Sequence, residues 1–245
     1  MPTTTSTQFE IASRRPKLHE VFWLEQSDAA VPAEDTWFSP QELISLAGLR
    51  FARRRADWRL GRWTAKCAVS AYLGIPALRE IEIIAADDGA PQVRLSKEPG
   101  AVTVSLSHRG GLAMCVVSAA NSALGCDLEL VEPRSEAFIT DYFTVEEQLR
   151  INDADPAQRS LLANLLWSAK ESALKALRTG LRQATQSLNV ALLDEVASDK
   201  TGIWHPLQVQ AECGKIFRGW WQTRQEMVRT IVASPDPSPT PLLKL

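Results

Sequence analysis

Two tetrapeptides constrain this chain more than any other feature. Trp63-Thr64-Ala65-Lys66 and Trp167-Ser168-Ala169-Lys170 are nearly identical and begin at positions 63 and 167, 104 residues apart. Both open apolar helical stretches, and Leu73 and Leu177 repeat at the same offset. Four matching residues can coincide by chance; the alternative is a chain of two similar halves facing each other. A length of 245 residues, 45% of them hydrophobic, supports either one domain or two halves that each bury a core.

The pattern between the two tetrapeptides is mixed. Ser39-Pro40-Gln41-Glu42 predicts a helix start, with serine at the N-cap and proline at N1. A long arginine-dense helix follows from Leu49 to Leu73 and stops at Gly74 and Pro76. Ile81, Ile83 and Val93 predict strands around an Asp87-Asp88-Gly89 turn. Val102, Val104 and Leu106 alternate with polar residues as a half-buried strand. Strands at Leu112–Ser118 and Leu124–Leu130 complete an expected antiparallel meander. Beyond Pro133 the chain turns helical. Thr144 to Glu147 resembles an N-terminal capping box, and a strong helix from Ser160 to Arg178 is expected to end on Gly180 as its C-cap. Segments 189–193, 207–209 and 227–233 read as strands. The first 20 residues read as loose and the proline-rich tail as unstructured.

Composition excludes some classes. A net charge of −2 argues against general nucleic-acid binding. No apolar run approaches the roughly 20 residues a bilayer span needs, and the N-terminus lacks the basic and apolar regions of a signal peptide. Cys67, Cys115, Cys126 and Cys213 show no CxxC spacing. The expectation is reduced thiols in a cytoplasmic protein.

Four constellations bear chemistry. In Gly125-Cys126-Asp127-Leu128-Glu129 the two acids share one face of a strand, with Cys126, Leu128 and Leu130 on the other. Two such carboxylates suit magnesium, which keeps waters and shares substrate phosphates; the alternative is a solvated strand edge. In the segment from Trp167 to Lys175, Glu171 and Lys175 are one helical turn apart. They form either an ordinary helix ion pair or a third metal ligand beside a phosphate-binding cation. Ser107-His108 before Arg109-Gly110-Gly111 can present an imidazole and backbone amides to an anion, or lie in a surface turn. Arg55, Arg59, Arg62 and Lys66 recur on one helix face, which is either solvated and paired with acids or set against a polyphosphate.

In order and spacing, these motifs resemble the 4'-phosphopantetheinyl transferases of the larger, surfactin-synthetase-activating type. The likeness rests on Phe51-Ala52-Arg53 with Gly61-Arg62 and Lys66, on Ser107-His108, and on Gly125-x-Asp127-x-Glu129. It continues through Phe143-Thr144 with Glu147 to Trp167-x-x-Lys170-Glu171-x-x-x-Lys175 and Gly180-Leu181, covering residues 45–195. The resemblance implies an α+β pseudo-dimer: two similar halves, each a small antiparallel sheet packed with a long helix, with the active site between them. The halves would be residues 1–122, binding coenzyme A phosphates, and 123–235, carrying the metal site, before a tail at 236–245. It implies magnesium, replaceable by manganese, on Asp127, Glu129 and Glu171. Arg53, Arg62, Lys66, Ser107, His108, Lys170 and Lys175 would surround the coenzyme A phosphates. Glu171 would take the proton of the acceptor serine and Lys175 would stabilise phosphate charge. The implied partners are coenzyme A and an apo acyl or peptidyl carrier protein, with no nucleic acid and no membrane, for a monomer. Phe138, Ile139 and Phe143, with Arg134, are either carrier-docking residues or core. One departure stands out: the family's Gly-Lys-Pro loop reads Gly89-Ala90-Pro91 here, so a cationic contact is absent or supplied by an arginine elsewhere. A coenzyme A binding module without catalysis and a magnesium-dependent nucleotide hydrolase are the rival readings.

Overall fold

Helix starts in this protein are set by side chains that satisfy the free N–H groups of the first turn. The computed structural model describes residues 20–95, 102–194, 202–236 and 243–244; the first 19 residues, expected to be loose, lie outside this set. Ser39 caps α1 (Pro40–Ala47) and Thr144 caps α4 (Val145–Asp153), each completing a capping box with the glutamate three residues on. The other helices are α2 (Ala52–Leu73), α3 (Glu136–Tyr142) and α5 (Pro156–Leu177). Helices α2 and α5 carry the two tetrapeptides and have 22 residues each.

The two capping glutamates do a second job, and they do it identically. Lys66 Nζ lies 2.5 Å from Glu42, and Lys170 Nζ lies 2.6 Å from Glu147, with all four side chains buried. Each lysine also donates to two backbone carbonyls: Lys66 to Trp37 and Leu78, Lys170 to Tyr142 and Thr185. Each glutamate accepts one more N–H, from Ile83 in the first half and Val190 in the second. Phe38 and Phe143 lie beneath the ammonium groups. A buried charge is tolerable only when paired and fully hydrogen-bonded. The same solution, built twice from residues about 104 apart, shows the duplication hinted at by the tetrapeptides.

The strands are β1 (Phe22–Ser27), β2 (Ile81–Ala85), β3 (Pro91–Leu95), β4 (Val102–Arg109), β5 (Leu112–Ala119), β6 (Ala123–Leu130), β7 (Leu188–Leu192), β8 (His205–Ala211), β9 (Ile216–Arg224), β10 (Met227–Ser234) and β11 (Leu243–Lys244). One sheet has the order β11-β1-β5-β4, beside the separate hairpin β2-β3; the other runs β6-β10-β9-β8-β7. The order β1-β5-β4, followed by the unjoined hairpin β3-β2, parallels the continuous order β6-β10-β9-β8-β7, and each half is packed with one long helix. This is the α+β arrangement of two similar halves.

Three expectations need correction. The meander is broken: β4 and β5 pair, but β6 leaves them and pairs with β10. The helix α5 is closed by Arg178 rather than Gly180, in a left-handed conformation (φ 60°, ψ 25°). The tail is not wholly unstructured, since Leu243 and Lys244 pair in parallel with Phe22 and Trp23. Strands β1 and β9 were not legible in the sequence. Among the described residues no helix is long and apolar enough to cross a membrane.

The halves meet where β4 and β6, each at the edge of its own sheet, run past one another. Side chains replace the missing ladder there. Ser105 Oγ accepts from the Cys126 N–H, and Ser107 Oγ from the Leu128 N–H. Met114 and Val116 of β5 share one core with Leu124, Cys126 and Leu128 of β6 and Met227 and Ile231 of β10.

Candidate active site

Strand β6 carries the acidic motif at this junction. Cys126 and Leu128 point into the shared core, so Asp127 and Glu129 face the helix α5. Gly125 lets that helix approach: a methyl group at this position would overlap the backbone carbonyl of Ser172. Close contact between strand and helix is what brings Asp127 and Glu129 within reach of Glu171 and Lys175.

Asp127 is the centre of the cluster. Its Oδ1 accepts from Lys175 Nζ at 2.7 Å and from Ser107 Oγ at 2.9 Å, while Lys175 also donates to the Cys126 carbonyl. Its Oδ2 is buried with no hydrogen-bond partner, as is Glu171 Oε1. Glu129 is engaged elsewhere: Trp167 Nε1 donates to Oε1 at 3.0 Å, Arg134 Nη2 to Oε2 at 3.2 Å, and Arg109 Nε lies 3.8 Å away. Burial, then the Asp127 charge, raises the pKa of Glu129 against the opposing pull of Arg134 and Arg109. Burial and Asp127 likewise raise Glu171, with Lys175 opposing and Glu129 adding. Burial alone would lower the Lys175 pKa; the charge of Asp127 foremost, with Cys126 and Glu171, overcomes this and raises it.

Two unpartnered buried carboxylate oxygens beside a third acid are costly unless a cation joins them. Oxygen donors of this kind fit magnesium, which takes one or two carboxylates and fills its other positions with water and phosphate oxygens. Among the described residues, no three His, Cys, Asp or Glu side chains converge closely enough to hold a metal by themselves. Asp127 and Glu171 supply the orphaned oxygens. Glu129 would join them through a water, or by leaving Trp167 and Arg134.

One cavity reaches the cluster through Lys175, and a second lies beside His108. The larger, about 610 Å³, lies between the halves; its wall includes the β2–β3 turn from Asp88 to Pro91, Ser105, Lys175 and Arg178. Ala90 is on this wall, with Arg178 across from it on the helix side. The second, about 510 Å³, is lined by Phe51, Arg53, Arg54, Asp57, Trp58 and His108.

The structure thus brings Ser107, Asp127, Glu129, Glu171 and Lys175 together, and places Arg53 and His108 on the second cavity. It removes others from the expected set. Lys66 and Lys170 are 0% exposed and locked onto Glu42 and Glu147, so neither ammonium can reach a ligand. Arg62 lines neither cavity; its guanidinium lies 4.7 Å from the Trp58 ring centroid. Arg55 and Arg59, on the same helix face, bond backbone carbonyls at Leu46, Leu49, Pro32 and Ala33, and Arg59 also pairs with Asp35. Phe143 is fully buried, and Phe138 packs edge-on to Phe143 and Trp167, so these aromatics belong to the core. Sequence reasoning missed the hold of Arg134 and Trp167 on Glu129, and the position of Arg178. The i, i+3 spacing of Lys175 and Arg178 was the available signal for the last.

A sequence model described as the 4'-phosphopantetheinyl transferase superfamily matches residues 123–216, a span containing β6 and all of α5. The holo-[acyl-carrier-protein] synthase of Streptococcus agalactiae serotype III is 39% identical over 83 residues, 31% of this chain and 68% of that protein. The serotype V enzyme matches to the same extent. Among solved structures, a holo-(acyl-carrier-protein) synthase from Bacillus anthracis in complex with CoA (3',5'-ADP) aligns with 42% of this chain and 96% of its own, at 21% identity and a TM-score of 0.37. This chain belongs to the 4'-phosphopantetheinyl transferase superfamily.

Proposed function

We propose that this protein transfers the 4'-phosphopantetheine group of coenzyme A to a serine of an acyl or peptidyl carrier protein. The observation that carries the reading is the pair of unpartnered buried oxygens, Asp127 Oδ2 and Glu171 Oε1, beside the Lys175 ammonium at the wall of a cavity between the halves. The serine hydroxyl attacks the β-phosphorus of coenzyme A. A new P–O bond forms to the serine, the bond from that phosphorus to the bridging oxygen breaks, and 3',5'-ADP leaves with the electron pair. Glu171 accepts the serine proton. Lys175 faces the charge that builds on the phosphates. Phosphoryl transfer asks a protein mainly for such positioning and charge neutralisation. Magnesium, or manganese in its place, would be held by Asp127 and Glu171, with Glu129 completing the set, and would neutralise the pyrophosphate. Ser107 orients Asp127, while Arg53 and His108 offer a cation and an imidazole to the remaining phosphates.

All of these groups come from one chain, which supports a monomer as the working unit. The four free thiols support a reducing compartment such as the cytoplasm. The test is intact-protein mass spectrometry of apo carrier proteins incubated with this protein, coenzyme A and magnesium. A gain of one phosphopantetheinyl group, lost with EDTA, is expected. Release of 3',5'-ADP without any acceptor would instead identify a nucleotide hydrolase, and coenzyme A binding without either product a binding module.

A further inference from the structure

A bidentate ion pair spans the mouth of the larger cavity. Arg178 Nε and Nη2 donate to the two carboxylate oxygens of Asp88 at 2.7 and 2.9 Å. Asp88 belongs to the β2–β3 turn of the first half, and Arg178 ends the helix that carries Glu171 and Lys175. Both residues line the cavity.

Fold stability does not account for Arg178. Its side chain is 57% exposed, and ion pairs in water add little to stability. Its backbone is left-handed, a conformation that glycine adopts at helix ends without cost and that a side chain disfavours. The chain nevertheless places here the longest cationic side chain available, one turn beyond Lys175 on the same helix face. The pair with Asp88 uses Nε and Nη2; Nη1 has no hydrogen-bond acceptor among the described residues. A guanidinium fixed in orientation, with donors to spare, at the rim of a cavity whose wall includes another cation, is arranged to meet a phosphate.

We propose that Arg178 is a coenzyme A-binding residue, contacting a phosphate oxygen of the nucleotide end, and that Asp88 is the positioning residue that aims it. This deepens the transferase reading and rests on it. In the free protein Asp88 holds the guanidinium over the opening; on binding, the phosphate takes the unoccupied donors while the cross-half pair stays in place.

The test is calorimetric titration of the full chain with coenzyme A, with 3',5'-ADP, and with phosphate-free pantetheine as a control. Arg178→Gln is expected to weaken both nucleotides about tenfold and to raise KM for coenzyme A more than it lowers kcat. Arg178→Gly separates binding from folding: relief of the left-handed backbone should leave the thermal midpoint equal or higher while nucleotide binding still weakens. Asp88→Asn should weaken binding by less than Arg178→Gln, since it loses only the aim of the cation. Binding by Arg178→Gly within twofold of the wild type would overturn the inference while leaving the transferase reading intact. Failure of the wild-type chain to bind coenzyme A at all would overturn both.

Discussion

The three acids of the site are not equivalent. Asp127 is already paired with Lys175 and Ser107, Glu129 is held by Trp167 and Arg134, and Glu171 has one buried oxygen with nothing to bond. Because burial and mutual repulsion raise the pKa of Glu129 and Glu171, a divalent cation bound as proposed would compete there with protons. Magnesium affinity should be full above those raised values and fall as pH drops through them, at a higher pH than ordinary carboxylates would give. Calorimetry in buffers of different ionisation enthalpy should show proton release on magnesium binding in that window, and Glu171→Gln should diminish it. Asp127→Asn removes the partner of Lys175 as well as a proposed metal ligand. A loss of about a hundredfold or more in transfer rate is expected from the single change. The thiols give an independent check on burial. Cys67 and Cys126 are pushed up to about 11 by burial and Cys115 is raised well above the ordinary thiol range, whereas Cys213 is exposed. Brief iodoacetamide treatment of the native protein at pH 8 should alkylate Cys213 alone, read by peptide mass spectrometry.

At the scale of elements, the two lysine–glutamate pairs fix where α2 and α5 sit against the loops that precede α1 and α4. Removing one partner of a buried pair leaves an uncompensated charge. Lys170→Met should therefore cost about 3–5 kcal/mol in a denaturant titration. The double variant Lys170→Met with Glu147→Leu should recover only part of this, because Glu147 also accepts from the Thr144 and Val190 N–H groups. Lys66→Met should behave in parallel if the latches are equivalent. Gly125→Ala tests the closeness of β6 to α5. With the Ser172 carbonyl in the path of the new methyl group, a loss of about 3 kcal/mol or more is expected, with transfer activity falling as the helix is displaced.

Across the whole molecule, duplication of the fold has not duplicated the site. The residues of α2 that stand where Glu171 and Lys175 stand in α5 are Cys67 and Ala71. On β1 the face toward α2 carries Phe22, edge-on to Tyr72, and Leu24, packed on the core of the first half, with an acid at neither position. Glu25, on the other face, pairs with the buried Arg229 of the other half at 2.5 Å. One half supplies the acids proposed to hold a metal and the other supplies Ser107, His108 and Arg53, so the proposed site needs both halves. Sedimentation equilibrium should give a single species near 27.1 kDa. A fragment limited to residues 123–236 should show no cooperative unfolding, because Leu124, Cys126 and Leu128 lose Met114 and Val116 from their shared core.

Much of this was legible locally. Ser39 with Pro40 and Glu42, and Thr144 with Glu147, announce helix starts because capping is settled within four residues. The two-residue alternation of β6 puts Asp127 and Glu129 on one face whatever the strand pairs with. The one-turn spacing of Glu171 and Lys175 likewise holds on any helix. What the sequence left open depends on distant partners. Lys66, Lys170 and Lys175 are alike as letters; burial against Glu42 and Glu147 makes two of them structural, and only the third faces the acids of the site. The passage of β6 from the first sheet to the second follows no local signal, since its pairing with β10 joins residues about a hundred apart in the chain. The sequence by itself determined the helices, most of the strands and the chemical types at the site, because propensity, capping and periodicity act over a few residues. Only the tertiary structure decided which charges meet a ligand and which are neutralised in the core, because burial and ion pairing depend on what the folded chain brings alongside.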